Sequence, residues 1–357
     1  MMKKFRVGVV GCGGIATWTH LPAYTQLCKE GLAEVVALCD IKLEKTQPPL
    51  EFWPDAWTTA DYHDLLKDET IDVIDICTPN YLHSIIAIEA MKAGKHVFCE
   101  KPDAITVEEV EMMKKTSEET GKRLMIMRNN RYLKSSQYLK KQIEKGEFGD
   151  MYCGRCGWQR RRGIPGKGGW FTTKEQSGGG PLIDLGVHMI DLAIYLMGNP
   201  RPVSVSGATF CKFADNDASA DSANADFGEK MQGGTFDVED LAMGFIRFDN
   251  GAVLQVEVSW ASNVEEEKNF VELRGTKAGF KWEWGKIKVF GEKDGVLVNE
   301  EPLFGDDDHG HENNLRHYYK VLNGMEEPIF QPQQGINMIK ILRAMYKSAE
   351  TGREVQL

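Results

Sequence analysis

Val7-Gly8-Val9-Val10-Gly11-Cys12-Gly13-Gly14-Ile15-Ala16 is the stretch on which the reading of the chain turns. An apolar run of strand character, Val7–Val10, enters a glycine turn of the pattern G-x-G-x-x-A and then the start of a helix. Each small residue has a physical task in that pattern. Gly11 permits the tight turn, Gly13 lets the backbone approach a pyrophosphate, and Ala16 keeps helix and strand close. The free N–H groups and positive dipole end at the start of the helix suit phosphates, with Gly14 and Ile15 beside them. A second apolar run, Val35–Cys39, ends at Asp40, 24 residues beyond Ala16. That is near the spacing of about 20 at which an acid meets the ribose hydroxyls of a dinucleotide. A carboxylate there also repels a 2′-phosphate, so the pattern predicts NAD, with NADP as the alternative.

The rhythm continues outward. Ile71–Cys77, His96–Cys99 and Leu124–Met127 are further short apolar runs, as central strands of a parallel sheet require. Between them Asn80 is placed to cap a helix ending near Gly94. Thr106 with Glu109 forms a capping box, and Gly121 is the matching stop. This βαβα order predicts an N-terminal doubly wound Rossmann domain over residues 1–127. After that the pattern changes to that of an α+β domain, 128–357. A helix near Ser135–Lys145 precedes strands at Met151–Gln159, Val203–Phe213, Leu241–Phe248, Ala252–Trp260 and Phe270–Arg274. Asp249-Asn250-Gly251 reads as a hairpin turn. A glycine-rich loop, Gly163–Gly180, leads to an apolar helix at Pro181–Met197, and helices near Glu312–Asn323 and Gly335–Thr351 close the chain. The polar, acidic stretch Ala214–Gly234 reads as a long loop.

Composition narrows the functional classes. The 357 residues are 42% apolar and 27% charged, and 43 Lys and Arg stand against 53 Asp and Glu, for a net charge of −10. An acidic surface argues against nonspecific binding to nucleic acid or anionic membrane. No apolar run reaches the length of about 18–20 residues that spans a bilayer. The start of the chain carries no cleavable signal, so a cytoplasmic protein is expected. Eight cysteines fall mostly in strand and helix interiors, as small buried hydrophobes do in a reducing compartment. Cys153 and Cys156 form one C-x-x-C, but in a strand those positions face opposite sides, and a zinc site needs a second pair.

Several polar residues lie where an open α/β sheet binds its ligands, at the carboxyl ends of strands. Cys77-Thr78-Pro79-Asn80, followed by His83, ends one run, and Glu100-Lys101-Pro102 ends the next. Further on, Ser177-Gly178-Gly179-Gly180-Pro181-Leu182-Ile183-Asp184 opens the apolar helix that also carries His188. Four apart, Asp184 and His188 share a helix face, and Asp191 lies one turn further. Asp306-Asp307-Asp308-His309-Gly310-His311-Glu312 offers metal-ligand residue types. Without a fixed ligand spacing it reads as a loop with acids near a helix N-terminus, so no metal is expected.

With these motifs the chain resembles the glucose–fructose oxidoreductase, inositol dehydrogenase and rhizopine-catabolism (Gfo/Idh/MocA) family. The resemblance extends to Asp237-Val238-Glu239-Asp240 and to Tyr346-Lys347-Ser348-Ala349 with Gly352. It implies a second domain built on a large, open, mostly antiparallel sheet, often used to form homodimers or homotetramers. It implies an NAD(P)-dependent oxidoreductase moving a hydride between the nicotinamide and a secondary alcohol of a sugar, cyclitol or related polyol. Lys101, Asp184 and His188 are its implied catalytic set: His188 as general base, Lys101 on the reacting oxygen, Asp184 on a substrate hydroxyl. Thr78, Pro79, Asn80, His83, Glu100, Lys101 and Trp170 are implied contacts of the cofactor, and the Lys101–Pro102 peptide is implied to be cis. Trp170 is followed by Phe171 where relatives often carry arginine. Arg160 and Arg162 are candidates for binding substrate oxygens. His20, His63, His96 and His317 read as structural. The alternatives by analogy are an NAD-retaining glycosidase and a noncatalytic sugar or dinucleotide sensor.

Overall fold

The computed structural model describes residues 2–215, 227–305 and 308–357. Most of the expected long loop, and Asp306 and Asp307, lie outside them. The chain forms two compact units: Met1–Asn129 with His309–Ile336, and Asn130–Asp308 with Asn337–Leu357.

The first unit holds a parallel six-stranded sheet. Its strands are β1 (Phe5–Val10), β2 (Ala33–Cys39), β3 (Trp57–Thr59), β4 (Val73–Ile76), β5 (His96–Cys99) and β6 (Leu124–Ile126). Their order, β3-β2-β1-β4-β5-β6, is that of the doubly wound dinucleotide fold. Every residue of β4 and β6 is buried, as helices on both faces demand. Thr106 and Glu109 form the expected capping box, and Gly121 ends that helix at φ 66°. Asn80 is not a cap: it opens a short 3-10 turn, Asn80–Leu82, that delivers the chain into helix His83–Lys92, and Pro79 precedes it. Strand β3, short and with its first residue exposed, had no sequence pattern to announce it.

A boundary at residue 127 does not describe the first unit fully. The helix Gly310–Leu322 returns to it, because Leu315, Tyr318 and Tyr319 are fully buried and complete its core against Phe5, Tyr24 and Phe98.

The second unit holds a nine-stranded sheet. Its strands are β7 (Met151–Gln159), β8 (Pro202–Phe210), β9 (Leu241–Phe248), β10 (Val253–Ser259), β11 (Lys268–Gly275), β12 (Gly279–Glu283), β13 (Lys286–Lys293), β14 (Val296–Glu300) and β15 (Val355–Gln356). The order is β14-β13-β12-β11-β7-β10-β9-β8-β15, with only β7 and β10 parallel. The alternation of the strands sorts the two faces. Ile246, Leu254, Val256, Cys156, Val271 and Phe280 are buried on one, against the helix Val187–Leu196. The other carries charged and exposed residues, including Arg155 paired with Glu272, and Met243 and Phe290. Cys153 and Cys156 fall on opposite faces, and all eight cysteines are free thiols.

The stretch Lys174–Leu196 is long and apolar enough to cross a membrane by length and composition alone, although charged residues interrupt it. Its most apolar window is 83% buried inside the protein, where it serves as a core helix.

Candidate active site

The glycine turn of the first unit is shaped by its neighbours. Gly11 has φ 91°, and a Cβ there would lie 2.6 Å from the carbonyl oxygen of Cys77. A Cβ on Gly13 would meet nothing within 4 Å. The first position therefore needs glycine for the fold, and the second leaves open space over its backbone, where a pyrophosphate approaches. Asp40 is oriented by two backbone donors, the N–H of Cys12 at 2.9 Å and that of Lys42 at 2.9 Å. The Thr78 hydroxyl is buried and has no hydrogen-bond partner among the described residues. Open backbone, an oriented acid and an unused hydroxyl at the strand ends fit a dinucleotide. Past the turn, Ala16–His20 is a π-helical turn, with the Leu21 N–H donating to the Ala16 carbonyl, a local widening that recurs at functional sites.

Behind this surface lies a charged network. The two ring nitrogens of His20 face Asp75 at 2.8 Å and Glu100 at 2.8 Å, and all three residues are buried. Burial opposes an imidazolium here, but the Asp75 carboxylate outweighs it, and the pKa of His20 lies well above 6.5. Burial likewise opposes an ionised Glu100, yet the hydrogen bond and charge of His20 hold its pKa far below 4.5. Glu100 also accepts the Lys101 N–H at 3.0 Å, so the network ends on the loop that carries Lys101. Donor atoms of His20, Asp75 and Cys77 lie within 4.8 Å of one another, a spacing a metal would accept, but both His20 nitrogens are already committed to carboxylates.

His83 and Glu100, two of the expected cofactor contacts, are both buried. His83 is fully buried, with Nδ1 2.7 Å from the Pro102 carbonyl and Nε2 2.9 Å from that of Thr78. Burial lowers its pKa. It ties the Thr78 loop to the Lys101 loop, and both its ring nitrogens are spent on the protein. The Lys101–Pro102 peptide is cis. His311 is likewise drawn inward. Its ring centroid is 6.4 Å from that of His20, and burial pushes its pKa down to about 4.

In the second unit the glycine loop is held by Glu239. Its carboxylate accepts the N–H of Gly180 at 3.0 Å, the N–H of Leu182 at 3.1 Å and the Tyr346 hydroxyl at 2.8 Å. Burial raises its pKa against the pull of these donors. A Cβ on Gly179 would sit 1.9 Å from the Tyr346 hydroxyl, and one on Gly180 2.1 Å from the Glu239 carbonyl. The following turn, Leu182–Gly186, is again π-helical and carries Asp184, and His188 follows on the α-helix Val187–Leu196. The indole N–H of the fully buried Trp260 donates to Asp184 at 2.9 Å. Trp158 lies beside His188, ring centroids 5.9 Å apart.

Arg160 stacks over Trp158 at 5.0 Å and feels the charge of Asp184, though burial dominates and lowers its pKa. Arg162 is tied to the loop, donating to the Ser262 carbonyl at 2.9 Å and to Asn263 at 3.0 Å. Trp170 stacks on Phe171, ring centroids 3.8 Å apart. Asp191 does not extend the Asp184 face as a functional group: it is buried in a two-point pair with Arg131, at 2.7 Å on each side. Sequence reasoning missed the pairing of His20 and the task of Glu239. The signals were an aspartate inside the apolar strand Val73-Ile74-Asp75-Ile76 and an acid pair just ahead of β9.

Residues 5–127 match the model of the oxidoreductase family with an NAD-binding Rossmann fold, and residues 136–281 match the GFO/IDH/MocA C-terminal domain. The D-glucoside 3-dehydrogenase of Escherichia coli (strain K12) is 34% identical over 99% of this chain and 98% of its own length. The scyllo-inositol 2-dehydrogenase (NADP(+)) of Bacillus subtilis (strain 168) is 26% identical over 100% and 97%. Among solved structures, a levoglucosan dehydrogenase in complex with NADH and levoglucosan superposes with a TM-score of 0.86, covering 99% of each chain at 24% identity, a likeness of fold.

Proposed function

The chain belongs to the Gfo/Idh/MocA family of NAD-binding oxidoreductases, and from that premise we propose that it is a dehydrogenase acting on a secondary alcohol of a sugar or cyclitol. One observation carries the reading. Asp184, anchored by Trp260, and His188 follow one glycine loop that Glu239 holds in place. That arrangement grips a hydroxyl-bearing substrate and moves its proton.

When bound, the nicotinamide supplies the hydride acceptor. The residues of the chain do the rest. Asp184 accepts a hydrogen bond from a substrate hydroxyl while Trp260 keeps its carboxylate oriented. His188 takes the proton of the reacting hydroxyl, a step that histidine performs near neutral pH. Lys101, on a loop of the first unit, is assigned by the family resemblance to stabilise developing negative charge on a substrate oxygen. In the reverse direction His188 returns the proton to a keto-sugar. Asp40, with both carboxylate oxygens on backbone donors, supports NAD over NADP. Arg160, beside Asp184, is suited to a further substrate oxygen. The open face of the large sheet supports a homodimer or homotetramer, and the eight free thiols support a cytoplasmic location. Light scattering on the purified protein checks the assembly. The glycosidase and sensor readings are not favoured, since the relatives above are named as dehydrogenases.

The test is absorbance at 340 nm with NAD or NADP and a panel of glucosides, free sugars, cyclitols and sugar acids. NADH formation with one class is expected. Lys101→Ala and His188→Ala are each expected to lower kcat by about 10²–10⁴ with little change in melting temperature. Turnover like that of the wild type in both variants would remove the assignment.

A further inference from the structure

Trp284 occupies a position its backbone disfavours. β12 and β13 are joined by Trp284-Gly285, with φ of 50° and 81°. Two-residue hairpin turns with positive φ at both positions favour Asn, Asp or Gly first, and a bulky residue there is an outlier. The next hairpin in the same sheet obeys the rule. β13 and β14 are joined by Asp294-Gly295 at φ 51° and 77°. One turn geometry thus carries two residue choices, and tryptophan is the exception.

Packing does not account for the choice. Trp284 is 53% exposed. The hairpin already has its core anchor in Trp282, which is 2% exposed and whose indole N–H donates to Ser135 at 3.2 Å. What Trp284 does touch is Trp158, edge to face, with ring centroids 5.9 Å apart and planes at 86°. Trp158 is the same ring that lies 5.9 Å from His188 and carries the Arg160 guanidinium. A row of rings therefore runs from the imidazole of His188 through Trp158 to an indole more than half open to solvent.

We propose that Trp284 is a stacking platform for the pyranose ring of the substrate and selects cyclic glycosides over open-chain polyols. The proposal rests on the dehydrogenase reading above and narrows its substrate class. A pyranose with equatorial hydroxyls presents a face of axial C–H bonds, which complements the electron-rich face of an indole. An open-chain polyol has no such face, and an axial hydroxyl would point into the ring. Backbone outliers of this kind concentrate where a contact to a ligand needs them.

Trp284→Asn separates fold from function, because asparagine is at home in this turn. Titrations of methyl β-D-glucopyranoside and of sorbitol are made by calorimetry with NADH present, so that no oxidation can occur. W284N is expected to melt at or above the wild-type temperature yet bind the glucoside about tenfold more weakly. Trp284→Phe should keep most of the affinity, and binding of sorbitol and of NADH should not change. Equal glucoside affinity in wild type and W284N overturns the platform, as does a wild type that binds no glucoside. A change of oligomeric state in W284N with affinity intact also overturns it, making Trp284 an interface residue. A wild type that binds the glucoside through Trp284 but never reduces NAD removes the dehydrogenase reading and leaves the platform standing.

Discussion

Glu100 and Glu239 are buried glutamates that hold functional loops, one in each unit, and their pKa values are displaced in opposite directions. Glu100 faces the imidazolium of His20 and is held ionised far below its ordinary range. Glu239 accepts two backbone N–H groups and a tyrosine hydroxyl, and its pKa is raised. The difference teaches that hydrogen bonds from neutral donors do not replace a counter-charge once water is excluded. The loop of Lys101 is fastened by a charged network, and the loop of Asp184 by a carboxyl group held only by neutral donors.

The harshest way to break this comparison is His20→Ala. It strands Asp75 and Glu100 as buried carboxylates without their cation, and a loss of about 3–5 kcal/mol is expected at neutral pH by denaturant unfolding. The raised pKa of His20 means its contribution is complete below about 6.5 and fades as pH climbs through its folded value. A variant as stable as the wild type would show that the network carries no charge.

Smaller, and aimed at the two glycine loops, are Gly180→Ala and Gly13→Ala. The first drives a Cβ into the Glu239 backbone and should cost about 2–3 kcal/mol in stability. The second enters open space, so melting of the free protein should stay within about 0.5 kcal/mol of wild type. Affinity for NADH, read by fluorescence titration, should fall about tenfold or more. Equal losses of stability in both would mean that both glycines serve packing alone.

The finest test sets Glu100→Gln beside Glu239→Gln across pH. Because the folded pKa of Glu100 is lowered, its stabilisation is present above about 4.5 and is lost as pH falls. Because that of Glu239 is raised, its stabilisation is present below about 4.5 and is lost as pH rises through the folded value. The cost of Glu100→Gln should therefore shrink as pH falls below about 4.5, and that of Glu239→Gln should shrink as pH rises above about 4.5. Parallel profiles in chemical denaturation would erase the distinction.

How much of this was legible in the residues differs between the units. In the first, the glycine fingerprint, Asp40, the capping box and the parallel order could be read directly, because those signals are local and answer to backbone geometry. In the second, β7 and the hairpin of β9 and β10 were legible. β12, β13 and β14 were not: β12 alternates cleanly but is only 5 residues long, and β13 and β14, near the sheet edge, are largely exposed and lack a clean alternation. Lys101, Asp184 and His188 were reached through a family resemblance and not through their own spacing.

By itself the sequence determined the dinucleotide turn, the choice of acid at Asp40, the helix stops and the change from a doubly wound unit to an α+β one. Each rests on residues close in sequence, on hydrophobic period or, for Asp40, on its spacing from the glycine turn. Only the tertiary structure decided that His20 bridges Asp75 and Glu100, residues 55 and 80 positions away, or that Glu239 seats the loop of Asp184. It alone placed Trp284 in line with Trp158 and His188. Those pairings join distant parts of the chain, and their energies depend on the exclusion of water, which no local pattern of residues encodes.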